Sequence, residues 1–279
     1  MSGFGSIDSM ASMAGMMMQA ANNSFAAAAR KLSSGLAVQN AGDGPAQLAA
    51  SENLKKRIQG LDTAIQNNTN SANMIKTADA GLGQVNDTLA HIRAVAVKAA
   101  NTQDPAARAA YQAEIDTAMK GLQATADNTQ FGGKKLLDGS ARNAQASIGQ
   151  DGQTVTTSMM DVSPSQMGTD VSAKGVAGID VTTQQGAQDA VKVIDSAMAR
   201  VSDNRADLGS IQSNLIEPST RSMEVEKSNL QASVSNVRDT DMAQAMTGMV
   251  TARIQMNAGL AMLAQAGNMS SNLLTLLGR

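Results

Sequence analysis

The chain has 279 residues with 22 basic and 24 acidic side chains, a formal charge of -2, which excludes the net-positive or densely basic surface that duplex nucleic acid requires. Cysteine is absent and His91 is the only histidine, so a disulfide scaffold, thiolate chemistry and a His-His metal centre are excluded too. Four aromatic residues (Phe4, Phe25, Tyr111 and Phe131) stand against 48 alanines and 19 methionines; this composition points to thin, closely approaching helices and away from a compact enzyme with a bulky core.

Residues 9–34 lack proline and are rich in Met and Ala, with Asn22-Asn23-Ser24 the one polar interruption. Gly35, Gly42, Gly44 and Pro45 end that helical pattern. A long helix is predicted from about Pro45 to Ala100, with Pro45 in a first turn that needs no N–H. Its stripe runs through Ile58, Leu61, Ile65, Ala72, Ile75, Leu82, Val85, Leu89, Ile92, Ala96 and Ala99. Asn68 occupies one stripe position and Asp79 interrupts it. A near-3.5 repeat over this length predicts coiled-coil-like packing. Asn101 to Pro105 reads as a turn in which Asp104 caps the next helix. That helix runs to about Asp127 and is expected to fold back antiparallel on the long one.

From Asn128 to about Asp180 the texture changes. Gly132-Gly133, Asp138-Gly139 and Asp151-Gly152 are turn signals. Short strands are predicted at Ala144–Ile148, Val155–Met159 and Val176–Val181, the first two joined as a hairpin at Asp151-Gly152. This segment reads as a small surface module or connector. Helix resumes near Thr183, with a stripe through Ala187, Val191, Ile194, Met198, Val201, Leu208, Ile211 and Leu215, and Arg205 as its exception. Glu217-Pro218 predicts a break or kink. The last stretch is helical again, divided near Asp239-Thr240-Asp241. Met242, Met246, Met249, Leu260, Leu263, Leu274 and Leu277 make its end strongly apolar and are read as packing residues.

Both ends are therefore long and helical, and they are expected to lie side by side with the middle of the sequence at the far tip of an elongated subunit. Such a pair is marginal alone and gains stability if many copies pack around a common axis. No apolar run reaches the 18 residues of a transmembrane candidate. Met10 to Met18 follows no basic segment and is not a cleaved signal peptide. The C-terminal stretch has Arg253 as its only base before Arg279, too few for a strong membrane-surface helix. No cofactor and no membrane or nucleic-acid partner is expected.

Several segments resemble bacterial flagellin. They are Arg30-Lys31-Leu32-Ser33-Ser34-Gly35-Leu36 with Asn40-Ala41 and Asp43, Ser51-Glu52-Asn53-Leu54 with Ile58-Gln59-Gly60-Leu61, and Ala94-Val95-Ala96-Val97-Lys98-Ala99-Ala100-Asn101. Asn128-Thr129-Gln130-Phe131 with Lys135-Leu136-Leu137-Asp138-Gly139 follows. The C-terminal half adds Asn204-Arg205-Ala206-Asp207-Leu208-Gly209, Val237-Arg238-Asp239-Thr240-Asp241-Met242-Ala243 and Met262-Leu263-Ala264-Gln265-Ala266. In order and placement they span about four-fifths of the chain. The opening lacks the family's usual Asn-Thr-Asn, and Pro218 interrupts a region where the family rod is normally continuous.

The resemblance implies a mainly α, elongated helical rod of paired terminal helices with a small β-containing central segment. It implies a structural subunit, not an enzyme, which polymerises into the extracellular flagellar filament and supports swimming. A hook-filament junction protein is the alternative. An inner layer of residues 1–40 and 240–279 is expected, with a rod of 41–130 and 183–239 and a short exposed segment at 131–182. Implied partners are copies of the chain itself, other flagellins, cap and hook-junction proteins and an export chaperone. Export through the flagellar channel is implied and needs no cleaved signal peptide.

The resemblance also directs attention to particular residues. Arg30 and the turn at Ser34 and Gly35 read as a hinge-like link between layers. Asp43 is expected to cap backbone groups or pair with a base. Arg205, on an apolar stripe beside Asp207, needs a paired acid. Arg238, Asp239 and Asp241 read as a charged spoke linking the layers. No catalytic or metal residue is expected, and His91 reads as a surface residue.

Overall fold

The computed structural model describes residues 2–149 and 153–277, with the side chains of 2–8, 147, 270 and 273–277 set aside. Six helices carry most of the chain: α1 Ser2–Ser34, α2 Pro45–Asn101, α3 Pro105–Asn128, α4 Gln184–Ile211, α5 Glu217–Arg238 and α6 Met242–Leu277. Two antiparallel hairpins lie between α3 and α4: β1 Gln130–Phe131 with β2 Lys134–Lys135, and β3 Ala144–Ser147 with β4 Thr154–Thr157. The chain divides into two compact units, residues 59–228 and residues 1–58 with 229–279.

In the 59–228 unit, Asp104 accepts from the Ala106 N–H at 2.9 Å, with Pro105 at the first helical position of α3. The Thr183 hydroxyl caps α4 in the same way through the Gly186 N–H. Both caps satisfy orphan donors of a first turn. α3 runs antiparallel to α2, as the 3.2 Å contact between the His91 ring and the Glu114 carboxyl and the approach of Gly81 to Thr129 require. α4 is antiparallel to α2 as well, through Arg93–Asp195 and Asp79–Arg205. The core between these helices is built from Leu82, Leu89, Ile92, Ile115, Leu122 and Ile194, all 0–1% exposed.

The central segment is more than a surface module. Leu136, Leu137, Met159, Val162, Met167 and Val181 are buried in the same core as the helices. The physical reason is bulk: the Ala-rich helix faces leave space that larger aliphatic side chains from the segment fill. Gly132 and Gly133, both at positive φ, make the two-residue turn of the β1–β2 hairpin. In the β3–β4 ladder Ala144 pairs with Thr157 and Ser147 with Thr154, while the turn expected at Asp151-Gly152 lies outside the described residues. The strand expected at Val176–Val181 is absent. Val176–Gly178 is a 3₁₀ turn, and the extended residues after it bond to one side chain. Gln112 on α3 donates to the Ile179 carbonyl at 3.2 Å and accepts from the Val181 N–H at 2.8 Å, doing the work of a neighbouring strand.

Of the break or kink expected at Glu217-Pro218, the chain shows no break but an irregular helical turn just before it. Gln212–Ile216 forms a π-helical turn that joins α4 to α5, closed by the Glu217 N–H on the Gln212 carbonyl. Proline removes one donor and crowds the preceding turn, and a widened turn accommodates both effects without a chain break. α5 then runs antiparallel to α2, with Asn68 donating to the Ser219 and Thr220 hydroxyls at 3.4 and 3.2 Å and Lys227 meeting Asp62 at 2.6 Å.

In the other unit, α1 and α6 pack against each other along their length, antiparallel, with Gly259 against Met18 and Ala14. Their buried positions recur at alternating steps of three and four. On α1 these are Ala11, Ala14, Met18, Ala21, Phe25, Ala28 and Leu32. On α6 they are Ala245, Met249, Ala252, Met256, Gly259, Leu263 and Ala266. That is the 3.5-residue period of a coiled-coil seam. Its most buried members are alanine and glycine, so the two helices approach closely but remove little apolar area per residue from water.

Candidate assembly surface and its junction

Pairing through small residues leaves the large ones outside. On α1, Met10, Met13, Met16 and Met17 are 51–67% exposed. On α6, Met242, Met246, Val250 and Ile254 form an exposed stripe at four-residue spacing, and Leu260, Met262 and Met269 are exposed further along the helix. In the 59–228 unit the exposed large apolar residues are fewer and scattered: Val97, Val171, Leu215 and Val225. Single exposed apolar side chains are ordinary, whereas contiguous apolar faces mark interaction sites. No helix among the described residues is long and apolar enough to cross a membrane. The residues read from sequence as packing therefore separate into two groups. Met249 and Leu263 lie half-buried on the seam, while Met242, Met246 and Leu260 face outward. The side chains of Leu274 and Leu277 lie outside the described residues.

Where α1 leads into α2, and α5 into α6, the two connections are tied together. Gly35, at φ 71°, caps α1 by donating its N–H to the Lys31 carbonyl at 2.9 Å, a left-handed helix stop that glycine adopts without a Cβ clash. The Ser34 hydroxyl donates to the Arg30 carbonyl at 3.0 Å and accepts from the Leu36 N–H at 3.2 Å. The Gln39 amide also donates to the Arg30 carbonyl at 3.1 Å. Arg30 thus takes part through its backbone.

Across the junction, Leu36 and Asp239 form a β-bridge. Ala37 donates to the Arg238 carbonyl at 2.7 Å, and Thr240 donates to the Gly35 carbonyl at 2.9 Å. Asp43 accepts from the Gln39 and Asn40 N–H groups at 3.1 and 3.0 Å. Those bonds, first from Asn40 and then from Gln39, hold its carboxyl below the ordinary carboxylate range. Asp241 is the N-cap of α6, accepting from Ala243 and Gln244 at 2.9 and 3.1 Å. Asp239 accepts from the Ser235 hydroxyl. Arg238, whose side chain is mostly buried, reaches Glu52 on α2 at 2.8 Å. Lys55 and then Arg238 hold the Glu52 carboxyl low.

Seven of the sequence-selected residues (Arg30, Ser34, Gly35, Asp43, Arg238, Asp239 and Asp241) thus share one junction. Arg205 and Asp207 do not belong to it. Arg205 pairs with Asp79 through Nε at 2.7 Å and a second nitrogen at 3.4 Å, and that bond raises its pKa. Asp207 lines a separate polar cleft of about 490 Å³ with Asp203, Asn204, Arg142 and Arg200. The sequence reading missed Glu52 as the partner of Arg238 and Asp79 as that of Arg205. It also missed the Asn68–Thr220 contact. The last two had a signal, a polar residue sitting on an apolar stripe, and Glu52 had none. Among the described residues no group of three His, Cys, Asp or Glu is placed to hold a metal ion.

Two helical ends paired through a thin seam, with their larger apolar side chains turned outward, define a structural subunit whose terminal helices are shaped for other protein surfaces. The sequence model of the bacterial flagellin N-terminal helical region matches residues 6–142, and that of the bacterial flagellin C-terminal helical region matches residues 191–277. The chain is 34% identical to a flagellin of Halalkalibacterium halodurans across 90% of each chain. It is 33% identical to a Bacillus subtilis flagellin and 34% identical to a flagellar filament 31.3 kDa core protein of Treponema maltophilum, each across 88% of this chain and 90% of the relative. The chain belongs to the bacterial flagellin family.

Proposed function

We propose that this chain builds the flagellar filament by adding to copies of itself through the exposed apolar faces of α1 and α6. It is a structural subunit serving motility and not an enzyme, and its place is the extracellular filament. The observation that carries the mode of assembly is the seam of the pair: its most buried positions are alanine and glycine, with a few methionines and leucines half-buried beside them, while the larger apolar side chains named above stand exposed. In a monomer that arrangement leaves apolar area in water, and contact with further copies removes it.

The finer assignments are parts of the same proposal. Residues 1–40 and 240–279 form the inner layer, residues 41–130 and 183–239 the surrounding rod, and residues 131–182 the outward segment. The junction of Ser34, Gly35, Asp43, Arg238, Asp239 and Asp241 is a hinge-like link between the two layers; its support is the backbone tie between Gly35 and Thr240. Arg205 and Asp207 serve rod packing. The chain travels through the flagellar export channel, meets an export chaperone, and contacts cap, hook-junction proteins and other flagellins at the filament ends.

Seeded growth tests the proposal. Purified chain added to short filament fragments is expected to extend them into long filaments visible by negative-stain microscopy. Fragments that stay short but lose the ability to accept further subunits would assign the chain to the hook-filament junction. Fragments left unchanged and still competent would overturn both readings.

A further inference from the structure

The outward face is distinguished by its chemistry as well as its polarity. Among the described residues, all eight strongly exposed methionines lie on the terminal pair, four on α1 and four on α6. The seven methionines of residues 59–228 are buried or half-buried, with Met159 and Met167 fully so. Methionine is the one common apolar side chain that a mild oxidant converts into a polar one, and reactivity follows exposure.

We infer that these eight thioethers are an oxidation site through which peroxide-class oxidants stop the free subunit from joining a polymer. A sulfur lone pair attacks one peroxide oxygen. The S–O bond forms as the O–O bond breaks, and the leaving hydroxide takes a proton to become water. Sulfur loses two electrons and the peroxide gains them. The product carries a strong hydrogen-bond acceptor on a helix face whose backbone donors are already used within the helix. In the free subunit water satisfies the new oxygen. Under another copy that water is lost and no donor replaces it, so the covered state is disfavoured at each modified position. The most buried seam positions, Ala14, Ala21, Ala252, Gly259 and Ala266, carry no sulfur, and the seam's Met18, Met249 and Met256 are half-buried and react more slowly than the exposed eight, so the outer face is modified before the pair. The inference rests on the polymerisation reading.

The test treats the full-length monomer with hydrogen peroxide and follows each methionine by peptide mass spectrometry and assembly by seeded growth. Met13, Met16, Met242 and Met246 are expected to oxidise at least fivefold faster than Met159 and Met167, with seeded growth slowed at least tenfold. Treatment with methionine sulfoxide reductases and a dithiol is expected to restore growth to within twofold. A variant carrying leucine at all eight positions keeps the apolar face and is expected to grow after peroxide as it does before. Oxidised wild-type chain that extends seeds within twofold of untreated chain would overturn the inference alone. So would slowed growth that the reductases do not restore, a result that needs no variant to fold. Untreated chain that fails to extend seeds would instead overturn the polymerisation reading.

Discussion

Asp79 and Arg205 each interrupt an apolar stripe, and each is the other's partner at 2.7 Å. Their side chains stay 44% and 40% exposed, so solvent screens the pair and the expected contribution is under about 1 kcal/mol. Leu122 and Ile92 are fully buried in the same unit, and truncation there loses both apolar transfer and packing. Leu122→Ala and Ile92→Ala are therefore expected to cost about 2–5 kcal/mol each, and Asp79→Asn under about 1 kcal/mol, measured by urea unfolding of the full chain. Asp43 makes a prediction about acidity. Its folded pKa lies below the ordinary 3.8 because the charged carboxylate accepts two backbone bonds. The bound form is thus favoured fully above that value and lost as pH falls through the lower folded one. Amide exchange at Gln39 and Asn40 is expected to accelerate relative to the α2 backbone as pH is taken below 3.8, and Asp43→Asn is expected to remove that added pH dependence.

At the scale of elements, the π turn at Gln212–Ile216 sets the register of all that follows it. Downstream of it, Thr220 must face Asn68 and Lys227 must face Asp62. A π turn is an α-helix with one extra residue, and proline at 218 opposes a return to regular α geometry. Removing exposed Asn214 together with Pro218→Ala is expected to give a continuous α-helix that keeps both contacts, with the helical circular dichroism signal retained and a single cooperative thermal transition. Pro218→Ala with the residue retained is expected to keep the π turn, because the contacts to α2 hold the register. Loss of cooperativity in the deletion variant would show that the wide turn has a packing role of its own.

For the whole molecule, the two units differ in what holds them. Residues 59–228 enclose a core rich in leucine, isoleucine, valine and methionine, while the fully buried positions of the α1–α6 pair are alanine and glycine. Local opening is cheapest where little apolar area is buried. Amide exchange in the monomer is expected to be fast along α1 and α6 and slow in α2 to α4 of residues 59–228, with strong protection of α1 and α6 appearing in the polymer. Equal protection in both states would contradict the assembly proposal. Removal of residues 240–279 is expected to leave a folded, soluble chain that cannot extend seeds, and extension at wild-type yield would contradict the inner-layer assignment.

Helix positions were legible because periodicity and caps are local. Asp104-Pro105, Thr183 and Gly35 mark their boundaries with side-chain chemistry that acts within a few residues. The pairing of the two ends was legible in their matching length and composition, long and helical with alanine and methionine and almost no aromatics. Three features were decided elsewhere. Val176–Val181 has strand-like residues, yet Gln112 from a helix supplies its hydrogen-bond partners. Pro218 signals a break or kink, and contacts with Asn68 and Asp62 accompany an unbroken helix that is widened into a π turn just before it. Met242, Met246 and Leu260 read as packing residues with no surface named for them to pack on, and the close approach of Ala14 and Gly259 leaves them facing outward. In each case the outcome depends on which distant side chain arrives next to the segment, and that information exists only once the helices have packed.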